Sequence, residues 1–304
     1  MTLIETSCQT SDCAISATVS SGTGLPLVLL HGSGSAGTVF DRLMGGPLAD
    51  RYRMIVPDLP GHGASDDAER PAETYTLPGL ARSVSEALDR LGVGRCMIFG
   101  WSLGGHIALE MLSFRPDIVG IMLTGAPPIG HGPLGVFPAF QLSRASALAS
   151  KAQFSESDVE RFARMCFGDH QTPDDLSNIR RADGRLRKIM FGSMVRGQCA
   201  DERYLVEHAD VPIAMVNGSE ETVSRLSYVA RLRYRKLWDG LCHIIPDAGH
   251  APFLQAPAAF DALLERFADE MAERAAQSQP APMLQTQIPP DWAPGPHFRV
   301  AQSE

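Results

Sequence analysis

The segment Gly100-Trp101-Ser102-Leu103-Gly104 lies between the apolar run Cys96 to Phe99 and a helical pattern from Gly105 to Phe114. A serine on a sharp strand-to-helix turn holds its hydroxyl clear of the sheet, and small residues two places before and after it provide the clearance. Such a hydroxyl becomes a nucleophile when a base takes its proton and a carboxylate orients that base. His250, in the turn Pro246-Asp247-Ala248-Gly249-His250-Ala251-Pro252, is the candidate base, since the other histidines lack this setting after a last strand. Upstream, Ala214 to Gly218 leads into Ser219-Glu220-Glu221, where two carboxylates compete for the third role.

A second glycine motif offers a different chemistry. Gly32-Ser33-Gly34-Ser35-Ala36-Gly37 follows a strand and matches GxGxxG, and Asp58 ends the next strand, as in a dinucleotide fingerprint. Three fixed glycines recur by chance, and the serine motif supplies another use for them. In that reading the backbone N-H groups of Ser33 and Leu103 form an oxyanion hole, with Gly32 permitting close approach to the reacting carbonyl. Asp58 and His62, in Asp58-Leu59-Pro60-Gly61-His62-Gly63, are expected to hold their own turn. No HxHxDH or HExxH run occurs among the nine histidines, so neither a metal nor another cofactor is expected.

These groups need a scaffold. Short aliphatic runs at Leu27 to Leu30, Met54 to Val56, Cys96 to Phe99, Ile118 to Leu123, Val211 to Val216 and His243 to Ile245 read as buried strands. Helical patterns separate most of them, such as Leu80, Val84, Leu88 and Leu91, or Phe260, Leu263, Leu264 and Phe267. Strand alternating with helix predicts a mostly parallel sheet flanked by helices, an α/β fold. The alternation stops after Leu123, and the following stretch carries only helix signals. Ser157 with Glu160 reads as a capping box, and Thr172-Pro173 as a cap before a first-turn proline. The predicted organisation is therefore a core of residues 1–127 and 211–276, an all-helical cap at 128–210, and a Pro/Gln-rich tail at 277–304.

The chain has 304 residues, 44% hydrophobic and 20% charged, enough for a real core. Its net charge is −8 and its basic residues are scattered, which excludes a nucleic-acid footprint. Arg231 to Lys236, the one dense basic stretch, reads as a solvated helix end. No apolar run reaches bilayer length, and Met1 to Ser20 lacks the pattern of a signal peptide, so a cytoplasmic protein without a membrane partner is expected. The six cysteines have no CxxC pattern and are expected as thiols, although Cys8 and Cys13 could face each other across a hairpin. Oligomeric state is not legible.

On these residues the sequence resembles the α/β-hydrolase superfamily, and within it the metal-independent N-acyl-homoserine lactonases. The segments carrying the resemblance are Val56 to Gly63, Phe99 to Ile107, Thr124 to Pro128, Pro212 to Gly218 and Asp247 to Phe253, within a similarity running from about Gly24 to Glu270. The resemblance implies an α/β-hydrolase fold and a Ser102-His250-Glu221 triad, because the acid of this fold usually stands about three residues after the glycine that Gly218 matches. It also implies a small-molecule lactone or ester as substrate, bordered by Trp101, Gly32 and Phe162. The family usually carries Asn at the place of Ser33 and a lid Tyr at the place of Phe162, and the latter change removes a polar contact. Phe137, Phe140, Leu148, Phe154, Met165, Phe167, Met190, Phe191 and Met194 offer further apolar lining or cap packing. A broad carboxylesterase or perhydrolase with the same triad is the second reading, and a non-catalytic lactone-binding receptor of the same fold the third.

Overall fold

The computed structural model describes residues 2–141 and 146–277; the predicted tail, Gln277 apart, lies outside them. Eight strands form one sheet in the order β1-β2-β4-β3-β5-β6-β7-β8. They are β1 (Leu3–Gln9), β2 (Ala14–Ser20), β3 (Gly24–Leu30), β4 (Tyr52–Pro57), β5 (Cys96–Trp101), β6 (Ile118–Thr124), β7 (Ile213–Gly218) and β8 (His243–Ile245). From β4 onward across the sheet every pairing is parallel, whereas β1 and β2 form an antiparallel hairpin that joins β4 antiparallel.

The parallel strands are buried on both faces, which is why they read as continuous apolar runs. Val28, Leu30, Ile55, Ile98, Ile121, Leu123, Ile213 and Met215 face a core shared with the helices Leu77–Arg90 and Leu103–Met111. Their alternates, Leu27, Leu29, Met54, Val56, Met97, Phe99, Met122, Ala214 and Val216, face the long helix Pro257–Gln277. On that side Phe99 sits among Phe40, Phe253 and Phe260, with ring centroids 5.6, 5.8 and 5.1 Å away, so the strand leading to Ser102 is wedged in place.

Between β6 and β7 the described residues hold helices and no named strand. The main ones are Glu156–Phe167, Pro173–Arg181, Gly184–Val195 and Glu202–His208. The first begins two residues before the predicted signal: Ser155 and Asp158 form the capping box, not Ser157 and Glu160. Both pairs fit the sequence pattern, and Asp158 is further held by Lys151 and Arg161. Thr172 caps the second helix as expected, with Asp175 closing its box and Pro173 in the first turn.

The N-terminal strands were not among those predicted, since Leu3–Gln9 is mostly exposed and lacks the aliphatic run of a buried strand. Cys8 stands opposite Ile15 there, not Cys13, and all six cysteines are free. Arg231 to Lys236 follows the short helix Leu226–Val229, and Arg233, Arg235 and Lys236 pair with Glu207 or Asp210. No helix among the described residues is long and apolar enough to cross a membrane.

Candidate active site

Strand β5 ends at Trp101 and the next helix begins at Leu103, so Ser102 alone makes the turn, with φ 54 and ψ −118. Positive φ in a residue with a side chain costs of order 1–3 kcal/mol and persists only where the surroundings impose it. They do so here: a Cβ on Gly104 would lie 2.1 Å from the Leu30 carbonyl oxygen, and one on Gly100 would lie 2.6 Å from that of Gly104. The Ser102 amide is fixed to the Thr124 carbonyl at 2.8 Å.

The structure brings His250 and Glu221 together. His250 Nδ1 lies 2.8 Å from Glu221 Oε1 and 2.9 Å from Oε2, and both side chains are buried. Glu221 Oε1 also accepts the amides of Val223 at 2.7 Å and Ser224 at 3.2 Å. Burial by itself would raise the pKa of this carboxyl, but the charge and hydrogen bond of His250 and the two amides outweigh it and hold it below the usual value. Glu220 is exposed. The imidazole is further positioned by Gly125, whose φ of 65 turns the chain under the ring: a Cβ there would be 2.5 Å from His250 Cε1. Among the described residues no hydrogen bond joins Ser102 Oγ to this ring; hydrogen bonds between a nucleophile and its base are often long in a ligand-free enzyme and tighten when substrate binds.

Gly32 and Ser33 arrive from the end of β3. A Cβ on Gly32 would touch Ser102 Cβ at 3.2 Å and the Trp101 ring at 3.1 Å, so the loop passes directly over the nucleophile turn. The amide of Gly34 donates to His62 Nε2 at 3.0 Å, and Leu59 N donates to His31 Nε2 at 3.0 Å. Burial, reinforced by neighbouring His31, pushes the His62 pKa down to about 3, so the ring stays neutral and can accept. Asp58 accepts from Gly37 and Ala64 at 2.6 and 2.8 Å. Asp58 and His62 thus hold turns. Neither the Ser33 nor the Leu103 amide donates to a protein acceptor among the described residues, and Ser33 Oγ is buried without a partner. Two free N-H groups flanking a strained serine can stabilise negative charge on a substrate oxygen.

Trp101 is buried, and its indole N-H donates to the His250 carbonyl at 2.8 Å, tying the nucleophile strand to the histidine turn. Phe162, in the helix Glu156–Phe167, lies with its ring edge 3.1 Å from the Cβ position of Gly34. Sequence reasoning missed Asn217, whose Oδ1 accepts the Gly125 amide at 2.8 Å and so sets the turn beneath His250. Its one signal was its place at the end of a buried strand.

Sequence reasoning also missed a buried pair on the nucleophile helix. His106 Nδ1 lies 2.9 Å from both carboxylate oxygens of Glu202, and Glu202 also accepts the Ile129 amide at 2.9 Å. One turn further, Glu110 accepts the Ala200 amide at 2.8 Å. The two ends of the helical insertion are therefore fastened to the helix that starts at the serine. Among the described residues no group of His, Cys, Asp and Glu has the arrangement to hold a metal ion.

Comparison with known proteins finds hydrolases that are similar to this chain. The solved structure of the N-acyl homoserine lactonase AidH complexed with N-butanoyl homoserine shares 40% sequence identity, covers 88% of this chain and 97% of its own, and superposes with a TM-score of 0.86. A pimeloyl-[acyl-carrier protein] methyl ester esterase of Chromobacterium violaceum is 30% identical over 246 residues, 77% of this chain and 90% of its own. The esterase RhEst1 from Rhodococcus is similar in fold, with 22% identity, a TM-score of 0.71 and coverage of 89% and 100%. The profile of the alpha/beta hydrolase family matches residues 27–263, and the chain belongs to that family.

Proposed function

We propose that this hydrolase opens the ester ring of N-acyl-homoserine lactones through a Ser102-His250-Glu221 triad. The observation that carries the reading is the buried, two-oxygen contact of Glu221 with His250 Nδ1, which leaves Nε2 as the proton acceptor on the serine side. Ser102 Oγ attacks the lactone carbonyl while His250 takes its proton. The amides of Ser33 and Leu103 donate to the developing oxyanion. The imidazolium, stabilised by Glu221, then gives its proton to the departing alkoxide, and water attacks the acyl-enzyme by the same route in reverse.

The ring is the favoured target over the side-chain amide, because an ester carbonyl has less resonance stabilisation and its leaving alkoxide is easily protonated. Identity of 40% to AidH, a lactonase crystallised with the ring-opened N-butanoyl homoserine, supports the same choice. Incubation with a panel of acyl-homoserine lactones should give products heavier by one water that keep their acyl chain and reclose on acidification. Free homoserine lactone with a released fatty acid would overturn the assignment. A broader carboxylesterase is the second reading, favoured by the apolar Phe162 at the position where the lactonases carry a lid tyrosine; kcat/KM on lactones against open-chain esters separates the two.

A further inference from the structure

The last carbonyls of a helix have no partner within it and take one from outside. In the helix Glu156–Phe167, which carries Phe162, those partners come from the two loops that hold the acid and the base. Gly168 N closes on Arg164 O. Thr222 Oγ1 donates to Met165 O at 3.0 Å, and Gln255 Nε2 donates to Phe167 O at 3.0 Å. Gly168, with φ 58, makes room for the second contact: a Cβ there would lie 3.1 Å from Gln255 Nε2.

Each donor stands beside a member of the triad. Thr222 follows Glu221 and precedes Val223 and Ser224, whose amides hold the Glu221 carboxylate. Gln255 uses its other end, Oε1, to accept the amide of Gly249 at 2.6 Å, and Gly249 precedes His250. The two loops are also joined directly, with Glu220 N donating to Ala248 O at 2.8 Å. That bond fixes the chain leading into Glu221. The segment after Glu221, which holds the carboxylate, reaches the histidine turn along a second route, through the end of the helix.

We propose that Thr222 and Gln255 are positioning residues for Glu221 and His250, acting through the carbonyl end of the helix Glu156–Phe167 as a strut that sets the spacing of the acid and the base. The path runs from Glu221 through Thr222, the Met165 and Phe167 carbonyls, Gln255 and Gly249 to His250. Its two hydrogen bonds are in series, so the loss of either opens the whole path. The helix that borders the oxyanion loop with Phe162 thereby also holds the acid–base pair in register. The inference rests on the reading of Ser102, His250 and Glu221 as the triad.

The test measures kcat and KM on N-hexanoyl-homoserine lactone and on phenyl acetate, with active sites counted by fluorophosphonate labelling of Ser102 to completion. Thr222→Val and Gln255→Met should each lower kcat about tenfold on both substrates, with KM changed less than about twofold, because a small misplacement of catalytic groups costs rate. Thr222→Ser keeps the hydroxyl and should keep kcat within about twofold of wild type. Combining Thr222→Val with Gln255→Met should cost no more than about threefold beyond the worse single variant, since bonds in series fail together. Wild-type kcat in both single variants, losses that multiply in the double variant, or a rise in KM at unchanged kcat would overturn the proposal. If Gln255→Met does not fold, the contrast of Thr222→Val with Thr222→Ser decides, because it turns on one hydroxyl. A wild type that neither hydrolyses these substrates nor labels at Ser102 would sink the triad reading and the proposal with it, whereas an active wild type with unaffected variants sinks the proposal alone.

Discussion

Glu221→Gln changes one oxygen to an NH2 group, and the surrounding hydrogen bonds dictate how the new amide sits. Oε1 accepts from Val223 N at 2.7 Å and Ser224 N at 3.2 Å, so the amide oxygen must occupy that position. The NH2 group is then directed at His250 Nδ1, at the 2.9 Å now spanned by Oε2. An NH2 group there opposes a proton on Nδ1, although the amide oxygen stays 2.8 Å away, so the balance shifts toward the tautomer with the proton on Nε2. The nitrogen facing Ser102 becomes a donor and can no longer act as base, and the imidazolium loses its counter-charge. In a Ser-His-Asp triad the equivalent carboxylate-to-amide change lowers kcat by about four orders of magnitude. At 1.36 kcal/mol per factor of ten, that is about 5 kcal/mol of lost transition-state stabilisation. The fold should survive, since both amide bonds to the loop are kept. Single-turnover and steady-state hydrolysis of an acyl-homoserine lactone, with nitrogen NMR of the His250 tautomer, measures the effect. Exposed Glu220, changed to Gln, should alter kcat less than about twofold. If Glu221→Gln keeps more than a tenth of wild-type activity, or Glu220→Gln is the more damaging, the assignment of the acid is wrong.

Ser102→Gly should abolish turnover while keeping or raising the melting temperature, because glycine relieves a positive φ worth about 1–3 kcal/mol at a net entropic cost of about 1; a lower Tm would show that the turn is not strained. Glu202→Ala leaves the His106 ring and the Ile129 amide without their acceptor and should destabilise the protein by about 3–5 kcal/mol in urea titrations, with Glu202→Gln much milder. The buried imidazoles of His31 and His62 should cost stability in acid. His31 and His62 are buried with lowered pKa values, so the unfolded chain binds more protons than the native one from 6.5 down to about 3 at His62. Each such group removes up to about 1.4 kcal/mol per pH unit in that window. Glu110, its pKa raised by burial to about 7, acts in the opposite sense between pH 7 and 4.5, so a Tm that stays flat from pH 4.5 to 3.5 would contradict this.

The sheet was legible wherever strands are buried on both faces, since a run such as Cys96 to Phe99 has few other uses. The N-terminal hairpin was not, because a strand at the sheet edge keeps exposed polar residues and its alternation is short. Ser102, His250 and the 31–37 loop were marked by turn chemistry, which is local and therefore written in neighbouring residues. The difference between Glu220 and Glu221 depends on the path of the loop after Gly218, which only the tertiary bonds to Val223 and Ser224 decide. The capping box slipped by two residues for a similar reason: Ser155-Asp158 and Ser157-Glu160 satisfy one pattern, and the ion pairs of Asp158 with Lys151 and Arg161 select the first. Glu202 gave no sequence signal, because it is defined by His106, a partner far away in the chain, and Asn217 gave only its place at the end of a buried strand.

The fastening of Ile129 and Ala200 to Glu202 and Glu110 has a practical side. Both cut points of the helical insertion lie within one buried patch of the nucleophile helix, so the insertion can be lifted out and replaced as a cassette. Glu202 lies beyond the second point and stays with the recipient, so a donor segment must bring an amide for Glu202 at one end and an amide for Glu110 at the other. Chimaeras that swap the residues between those two points and respect the junction should inherit the acyl preference of the donor while keeping the recipient's catalytic apparatus. Those joined elsewhere would leave a buried charge at the base of the very helix that carries Ser102.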